Sequence, residues 1–367
     1  MSHSLIAPSK ATIWVNCPGS VLAKQRIAPI EIPNPAADEG TQAHELAVNY
    51  AKDGIPAQLI GEMQEGAALY VRELRDMEIA TGYTAYMEAR VSCPNIHPEL
   101  KGTCDSFLYD HANGVLHVWD FKYGHGIVEV CNNLQLVIYA LGVIEHLRSV
   151  IKDKLHIKEI ILSIVQPRGF HADGPIRKWS LTLQALESYV PRLIEATRSA
   201  LNGTGELHSG PHCKYCEIRF TCPSALAAGL GMYEAVLQST QAGMITTENI
   251  GKLFALVTRA KSQIEYIYTG LEAQIKARAM SGERMPGVQY TETIGRLKWS
   301  VPIDQVAKMG DVLGVDLRTH NVVTPTQAKA AGIPKEALLG CTVRESTGFK
   351  VEVEDTTKAQ LIFTKGV

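Results

Sequence analysis

Residues 102–124 read GTCDSFLYDHANGVLHVWDFKYG. Two short runs rich in β-branched and aromatic residues, Thr103 to Tyr109 and Val115 to Phe121, flank a turn through Asp110-His111-Ala112-Asn113-Gly114. Asn-Gly between such runs is a hairpin signal. Residues two apart in a strand share a face, so Asp120 and Lys122 point one way while Trp119 and Phe121 point the other. The hairpin partner brings Asp105 beside Asp120. Two carboxylates that close repel unless a cation lies between them, and hard oxygen ligands with room for water suit Mg2+ or Mn2+. A lysine beside a metal-bound water orients or helps to deprotonate the nucleophile and offsets charge on a phosphate under in-line attack. Taken alone, Asp120-x-Lys122 reads by default as an exposed strand ion pair, worth about 0 to 1 kcal/mol.

Outward from the hairpin the period changes. Gly40 to Tyr50 opens a helical stretch after the Pro-bearing IEIPNPAADEG, and a second covers Glu62 to Thr81. Tyr83 to Ser92 reads as a further strand, which makes the region a meander. From Asn132 to Arg148 apolar residues recur at helical spacing (Leu134, Val137, Ile138, Leu141, Ile144), and Lys158 to Gln166 is a β-rich run bounded by Pro167. Trp179 to Leu183 adds a short strand, and Gln184 to Asn202 a helix that ends near Gly203. A cysteine-bearing segment, Pro211 to Pro223, leads into an Ala/Gly-rich stretch read as a hinge. A long amphipathic helix follows, from about Thr247 to Met280, and short strands and loops occupy 282 to 367. The fold class expected is α/β, a central mixed sheet flanked by helices, with an α+β extension at the C-terminus. The domains expected are 1–230 and 245–367.

Bulk properties bound the function. A chain of 367 residues can bury a large core and suggests two domains, or one with an extension. Thirty-six basic against 38 acidic residues give a net charge of −2, so any nucleic-acid site must be local rather than global. Runs such as Ile160 to Val165 are too short to span a bilayer, and MSHSLIAPSK lacks the apolar region of a signal peptide. A cytoplasmic protein without a membrane partner is expected. Eight cysteines in such a chain serve packing, metal or reactivity rather than a disulfide framework.

Other residues can join the two acids. His44 follows Gly40-Thr41 by one helical turn and can offer an imidazole to the same cation. Gln135 and Tyr139, four apart on the helix after the Asp-x-Lys strand, share a face. Glu88, in the first strand run, is a further acid. Arg168 follows the strand that ends near the active centre and is a candidate phosphate contact. Each of these, taken singly, is equally an ordinary core or surface residue.

Together, Gly40-Thr41-Gln42-Ala43-His44, Gly102-Thr103-Cys104-Asp105, Asp120-Phe121-Lys122 and Gln135-Leu136-Val137-Ile138-Tyr139 resemble, in order and spacing, the nuclease domain of RecB-type exonucleases in the PD-(D/E)XK superfamily. The resemblance covers about residues 1 to 230 and is close to an uncharacterised phage-borne group of RecB-like proteins. It implies that His44, Asp105 and Asp120 bind the catalytic metal with the Phe121 carbonyl, that Lys122 is the catalytic lysine, and that Gln135 and Tyr139 lie beside the DNA path. Cys104 stands where the superfamily name has proline, a departure that removes no ligand.

Cys213-x-x-Cys216-x5-Cys222 is compact enough to close on one metal centre but supplies three thiolates, so a fourth ligand must come from elsewhere. RecB-like nucleases of the AddB and CRISPR-adaptation groups place one cysteine before the core and three after it around a 4Fe-4S cluster. On that resemblance the fourth ligand is Cys17. Zinc held by four thiolates is the chemical alternative. Cys93, Cys104, Cys131 and Cys341 are assigned to packing. The function implied is a metal-dependent DNA exonuclease of phage recombination or repair. Its partners are DNA and, in a phage setting, a single-strand annealing or recombination protein in the host cytoplasm. The alternatives are a structure-specific endonuclease, or a non-cleaving DNA-binding or assembly subunit of the same fold.

Overall fold

The computed structural model describes residues 4–27, 35–59, 61–152, 155–241, 250–283 and 285. Its centre is the hairpin. Strands β2 (Lys101–Asp110) and β3 (Val115–Phe121) pair antiparallel with Phe107 opposite Val118. The turn closes as its sequence dictates: the Asp110 carboxylate accepts from the amides of Ala112 and Asn113 at 2.9 and 3.1 Å, and Gly114 takes the left-handed φ of 69°. Strand β1 (Tyr86–Ser92) adds antiparallel to β2. Helix α5 (Leu134–Ile151) then carries the chain over the sheet, so that β4 (Glu159–Val165) lies parallel to β3, and β5 (Ile176–Leu181) closes the far edge antiparallel. The result is a mixed five-stranded sheet in the order β1-β2-β3-β4-β5. This is the α/β class expected.

Helices cover both faces. Against one pack α5, α1 (Ala11–Asn16), α2 (Ser20–Ile27), α6 (Leu183–Glu187) and α7 (Val190–Asn202), over a core of Cys104, Phe107, Leu116, Val118, Ile160, Leu162 and Ile164. Against the other lie α3 (Pro35–Asp53) and α4 (Glu62–Thr81), with Leu108, Trp119, Phe121 and Val165 from the sheet. Each such side chain removed from water contributes about 1.5–3 kcal/mol, so both layers are held firmly against the strands that carry the acids. Helix α5 is apolar enough over 18 residues to match a membrane span in length and composition. Its apolarity is used internally, because eleven of its residues are buried as the crossover between β3 and β4.

Side-chain alternation breaks at one place. Cys104 belongs to the α5 face, yet Leu108, an even number of residues on, belongs to the α3–α4 face, where Ser106 also accepts a hydrogen bond from Tyr70. In β1, Met87 faces α3–α4 and Ala89 faces α5. The pairing register is the same on both sides of the break, Met87 with Ser106 and Ala89 with Cys104, so the two strands switch faces together at Glu88 and Asp105. Glu88 makes the switch with a φ of 51°. Such a conformation is costly for a residue with a side chain and is commonly found at functional sites.

Three elements depart from the sequence reading. Helix α3 begins at Pro35 rather than Gly40, with Asp38 in its first turn, so His44 lies well inside the helix. The expected helix from Gln184 to Asn202 is two, parted at Ser188-Tyr189 before a proline at the start of α7, which Gly203 ends in the left-handed region. The Ala/Gly-rich stretch expected as a hinge is helix α8 (Pro223–Gln241), because alanine is the strongest helix former and proline suits the first turn.

The chain divides into two units, residues 1–284 and 285–367. Helix α9 (Ile250–Met280) falls in the first. Residues 286–367, where short strands and loops are expected, lie outside the described residues, as does Cys341.

Candidate active site

The face switch and the end of β3 place the acids. One step beyond the pair Ser106 and Trp119, Asp105 meets Asp120, and its Oδ2 accepts from the amide of Phe121 at 2.7 Å. Asp120 is fully buried. The Lys122 ammonium lies 3.0 Å from Asp120 Oδ1, to which it donates, and 2.9 Å from Oδ2. Oδ2 makes this ion pair but has no hydrogen-bond partner among the described residues.

Helix α5 completes this group. Asn133 caps it, accepting from the amides of Gln135 and Leu136 at 3.0 and 3.2 Å, which fixes the first turn over the end of β3. Gln135 then bridges the pair: its Oε1 accepts from Lys122 at 3.1 Å, and its Nε2 donates to Asp120 Oδ1 at 2.9 Å and to the Tyr139 hydroxyl at 3.1 Å. Tyr139 is buried beneath it.

From the opposite face α3 sends His44 across the strand end. Its Nε2 lies 2.9 Å from the Phe121 carbonyl oxygen, 77 residues away in sequence. Its Nδ1 lies 3.8 Å from Glu88 and 3.9 Å from Asp105. One ligand atom from each of His44, Glu88 and Asp105 falls within 4.8 Å of the others. Phe121 thus joins two groups, its N–H held by Asp105 and its carbonyl by His44.

The acidic and basic groups here shift one another's proton affinity. Burial, and then the Asp120 carboxylate, push the Asp105 carboxyl up to about 7. For Lys122, burial opposes the charge, but Asp120 and Asp105 together outweigh it and raise the pKa, so the ammonium persists. His44 is likewise opposed by burial and raised by Glu88, Asp105 and Asp120. Tyr139 is raised by burial and then by the same two aspartates, and keeps its proton. A divalent ion fits these residues. It would take the buried Asp120 oxygen that no hydrogen bond occupies, relieve the repulsion that raises Asp105, and find further donors in His44, Glu88 and the Phe121 carbonyl.

The four cysteines come together at a second place. Cys17 ends α1, Cys213 lies within a 3-10 turn, Pro211–Tyr215, and Cys216 ends that turn. All four, with Cys222, are buried. Burial pushes the Cys216 thiol up to about 11, with Cys213, Cys17 and Cys222 adding to the rise. Amides point at the sulfurs, from His208 to Cys17 at 3.3 Å and from Gly210 to Cys213 at 3.4 Å. Arg219 ties the segment to α9, donating to the Cys216 carbonyl at 2.8 Å and the Tyr266 carbonyl at 3.0 Å. Cys93 and Cys104 are buried as expected, whereas Cys131 is exposed.

Arg168 is placed between acids. It pairs with Glu39 at 2.9 Å and Glu62 at 3.6 Å, and its guanidinium lies 4.7 Å over the Tyr123 ring. Sequence reasoning missed Tyr70, which stacks on Phe121 with ring centroids 4.8 Å apart and donates to Ser106 at 2.7 Å. It supports the strand end from below. It also passed over Asn133 as a cap, for which an Asn just ahead of an apolar helical run is the available signal.

Residues 3–337 match the family described as "Protein of unknown function (DUF2800)". The chain belongs to the DUF2800 family. Among solved structures, this DUF2800 protein is similar to SSO0001, at 14% identity and a TM-score of 0.31, over 61% of this chain and 88% of that one. It is also similar to an alkaline exonuclease (LHK-Exo) from Laribacter hongkongensis, at 13% identity and a TM-score of 0.26, over 44% and 87% of the two chains. A phage related exonuclease from Haemophilus somnus 129PT matches at 12% identity and a TM-score of 0.21, over 45% and 81%.

Proposed function

We propose that this protein is a metal-dependent deoxyribonuclease that hydrolyses phosphodiester bonds from DNA ends with Mg2+ or Mn2+. The observation that carries the reading is the fully buried Asp120, with one oxygen lacking a hydrogen-bond partner, set between Asp105 and a charged Lys122. A buried carboxylate pair is expensive unless a cation or proton compensates it. Asp105, Asp120 and His44, with the Phe121 carbonyl and Glu88, would hold the ion. When bound, the ion would polarise the phosphate and make water a better nucleophile at neutral pH.

The chain's own groups account for the rest. Lys122 stays protonated, so it acts as a donor that aims the attacking water and offsets charge on the phosphate oxygens, rather than as a free base. Gln135 holds that ammonium and Asp120 in one arrangement, and the neutral Tyr139 fixes Gln135 in turn. Action from an end, and a place in phage recombination or DNA repair beside an annealing or recombination protein in the cytoplasm, are supported by the resemblance to RecB-type exonucleases. The same resemblance supports a 4Fe-4S cluster at Cys17, Cys213, Cys216 and Cys222, with zinc as the alternative.

The test is a time course on end-labelled linear and covalently closed circular DNA with Mg2+. Linear DNA should shorten and the circle should survive, and with Asp120→Ala both should stay intact. Nicking of the circle would move the assignment to an endonuclease, and an inert wild-type protein would end the nuclease reading.

A further inference from the structure

The loop that follows Lys122 is clasped from beneath. Gln166, fully buried, donates to the carbonyls of Gly124 and Gly126 at 2.8 and 2.7 Å and accepts from the amide of Val128 at 3.2 Å and from Arg177 at 2.8 Å. Both donors and both acceptor positions of one amide side chain are therefore spent on this loop and its neighbour. A buried polar network satisfied to that degree rigidifies what it holds. Yet the tip it holds turns outward: His125 and Ile127 are exposed.

A second rigid element reaches the same tip. Tyr215 lies in the turn between Cys213 and Cys216, is 66% exposed, and has the Lys214 ammonium 4.9 Å from its ring centroid. Its hydroxyl stands 3.5 Å from where a Cβ on Gly126 would be. An exposed aromatic ring with a lysine over one face, on a short turn against a clasped loop, presents an aromatic surface and positive charge together. That is the combination by which proteins hold single strands, with bases stacked on rings and phosphates near cations. Gly126 is four residues beyond Lys122, at most about 14 Å along the chain, or about four nucleotide steps at the rise of a B-form strand.

We infer that Tyr215, Lys214, His125 and Ile127 form a platform for the DNA strand entering the active centre, with a base stacked on Tyr215 and its phosphate beside Lys214. The inference rests on the deoxyribonuclease reading. Because every base offers a π-face, the platform should be indifferent to sequence.

The experiment uses the metal-replete protein with Ca2+ in place of Mg2+ and a fluorescent oligothymidylate, followed by anisotropy. Tyr215→Ala should weaken binding by about fivefold or more, and Tyr215→Phe should stay within about twofold of wild type. Lys214→Gln should lower the salt slope of binding by about 0.7. An oligonucleotide scanned with a single abasic site should lose affinity at one position in wild type and at none in Tyr215→Ala. Iron or zinc content and melting temperature unchanged in Tyr215→Ala would assign the loss to contact with DNA rather than to the cysteine centre. Wild-type affinity in Tyr215→Ala, with a wild type that still cuts DNA, would overturn the platform and leave the nuclease reading standing. A wild type that neither binds the oligonucleotide nor shortens linear DNA would take both down.

Discussion

Asp120 and Lys122 sit two residues apart on one strand face, but their substitutions should fail differently. Asp120→Ala removes a proposed ligand, so cleavage and Mg2+ affinity should fall together. Lys122→Ala should cost cleavage about 100-fold or more while Mg2+ binding, read by calorimetry, stays within a few fold. Turnover at the wild-type rate in Lys122→Ala would remove the lysine from the mechanism. Asp105 makes a second prediction through its pKa of about 7, above the ordinary carboxylate value of 3.8 because of burial and then Asp120. Between those values the folded protein binds more protons than the unfolded chain, so this group's effect on stability becomes less favourable as pH rises from about 4 to about 7. Metal-free wild type should therefore lose melting temperature relative to Asp105→Asn as pH is raised from 5 to 8. Mg2+ should recover the loss by binding the folded state. A difference between the two proteins that does not change with pH would contradict the burial of an uncompensated pair.

At the scale of the element, α5 is both the crossover and the shelf for Gln135 and Tyr139. Its approach to the sheet needs Gly142, where a Cβ would come 2.9 Å from Val91 Cβ and 3.2 Å from Val91 Cγ2. Alanine in a helix interior gains about 0.5–1 kcal/mol over glycine, but forcing an atom against the backbone-proximal carbon of a packed strand costs about 1–3 kcal/mol. The overlap wins, so Gly142→Ala should lower the denaturation midpoint; an unchanged or raised midpoint would mean that β1 yields. The start of the helix makes a further prediction. Asn133→Ala should cost about 1 kcal/mol and should also slow cleavage, because Gln135 takes its position from the capped turn. Asn133→Ser, which also caps, should restore most of both.

At the scale of the whole molecule, the proposed cysteine centre would join α1 to a segment some 200 residues later, with the sheet and the candidate active site between them in sequence. A centre that closes so long a loop stabilises by a few kcal/mol in the chain-entropy account. Cys216→Ser should therefore lower stability and cleavage together, although none of these four cysteines belongs to the acid site. Anaerobically purified protein should be brown and contain iron; stoichiometric zinc instead would replace the cluster and keep the staple, and an unaltered metal content in Cys17→Ser would place the fourth ligand elsewhere. The strands, the Asn113-Gly114 hairpin, the shared face of Asp120 and Lys122, the Gln135 and Tyr139 pair and the spacing of three cysteines were legible in the sequence by itself. All are local, fixed by backbone period and turn chemistry within a few residues. Tertiary structure alone decided the paired face switch at Glu88 and Asp105, the reach of His44 to the Phe121 carbonyl, the capture of Arg168 by Glu39 and Glu62, and the Gln166 clasp. These join residues tens of positions apart, and which of many possible partners meets which is settled by packing the two helical layers on the sheet, not by any pattern within one segment.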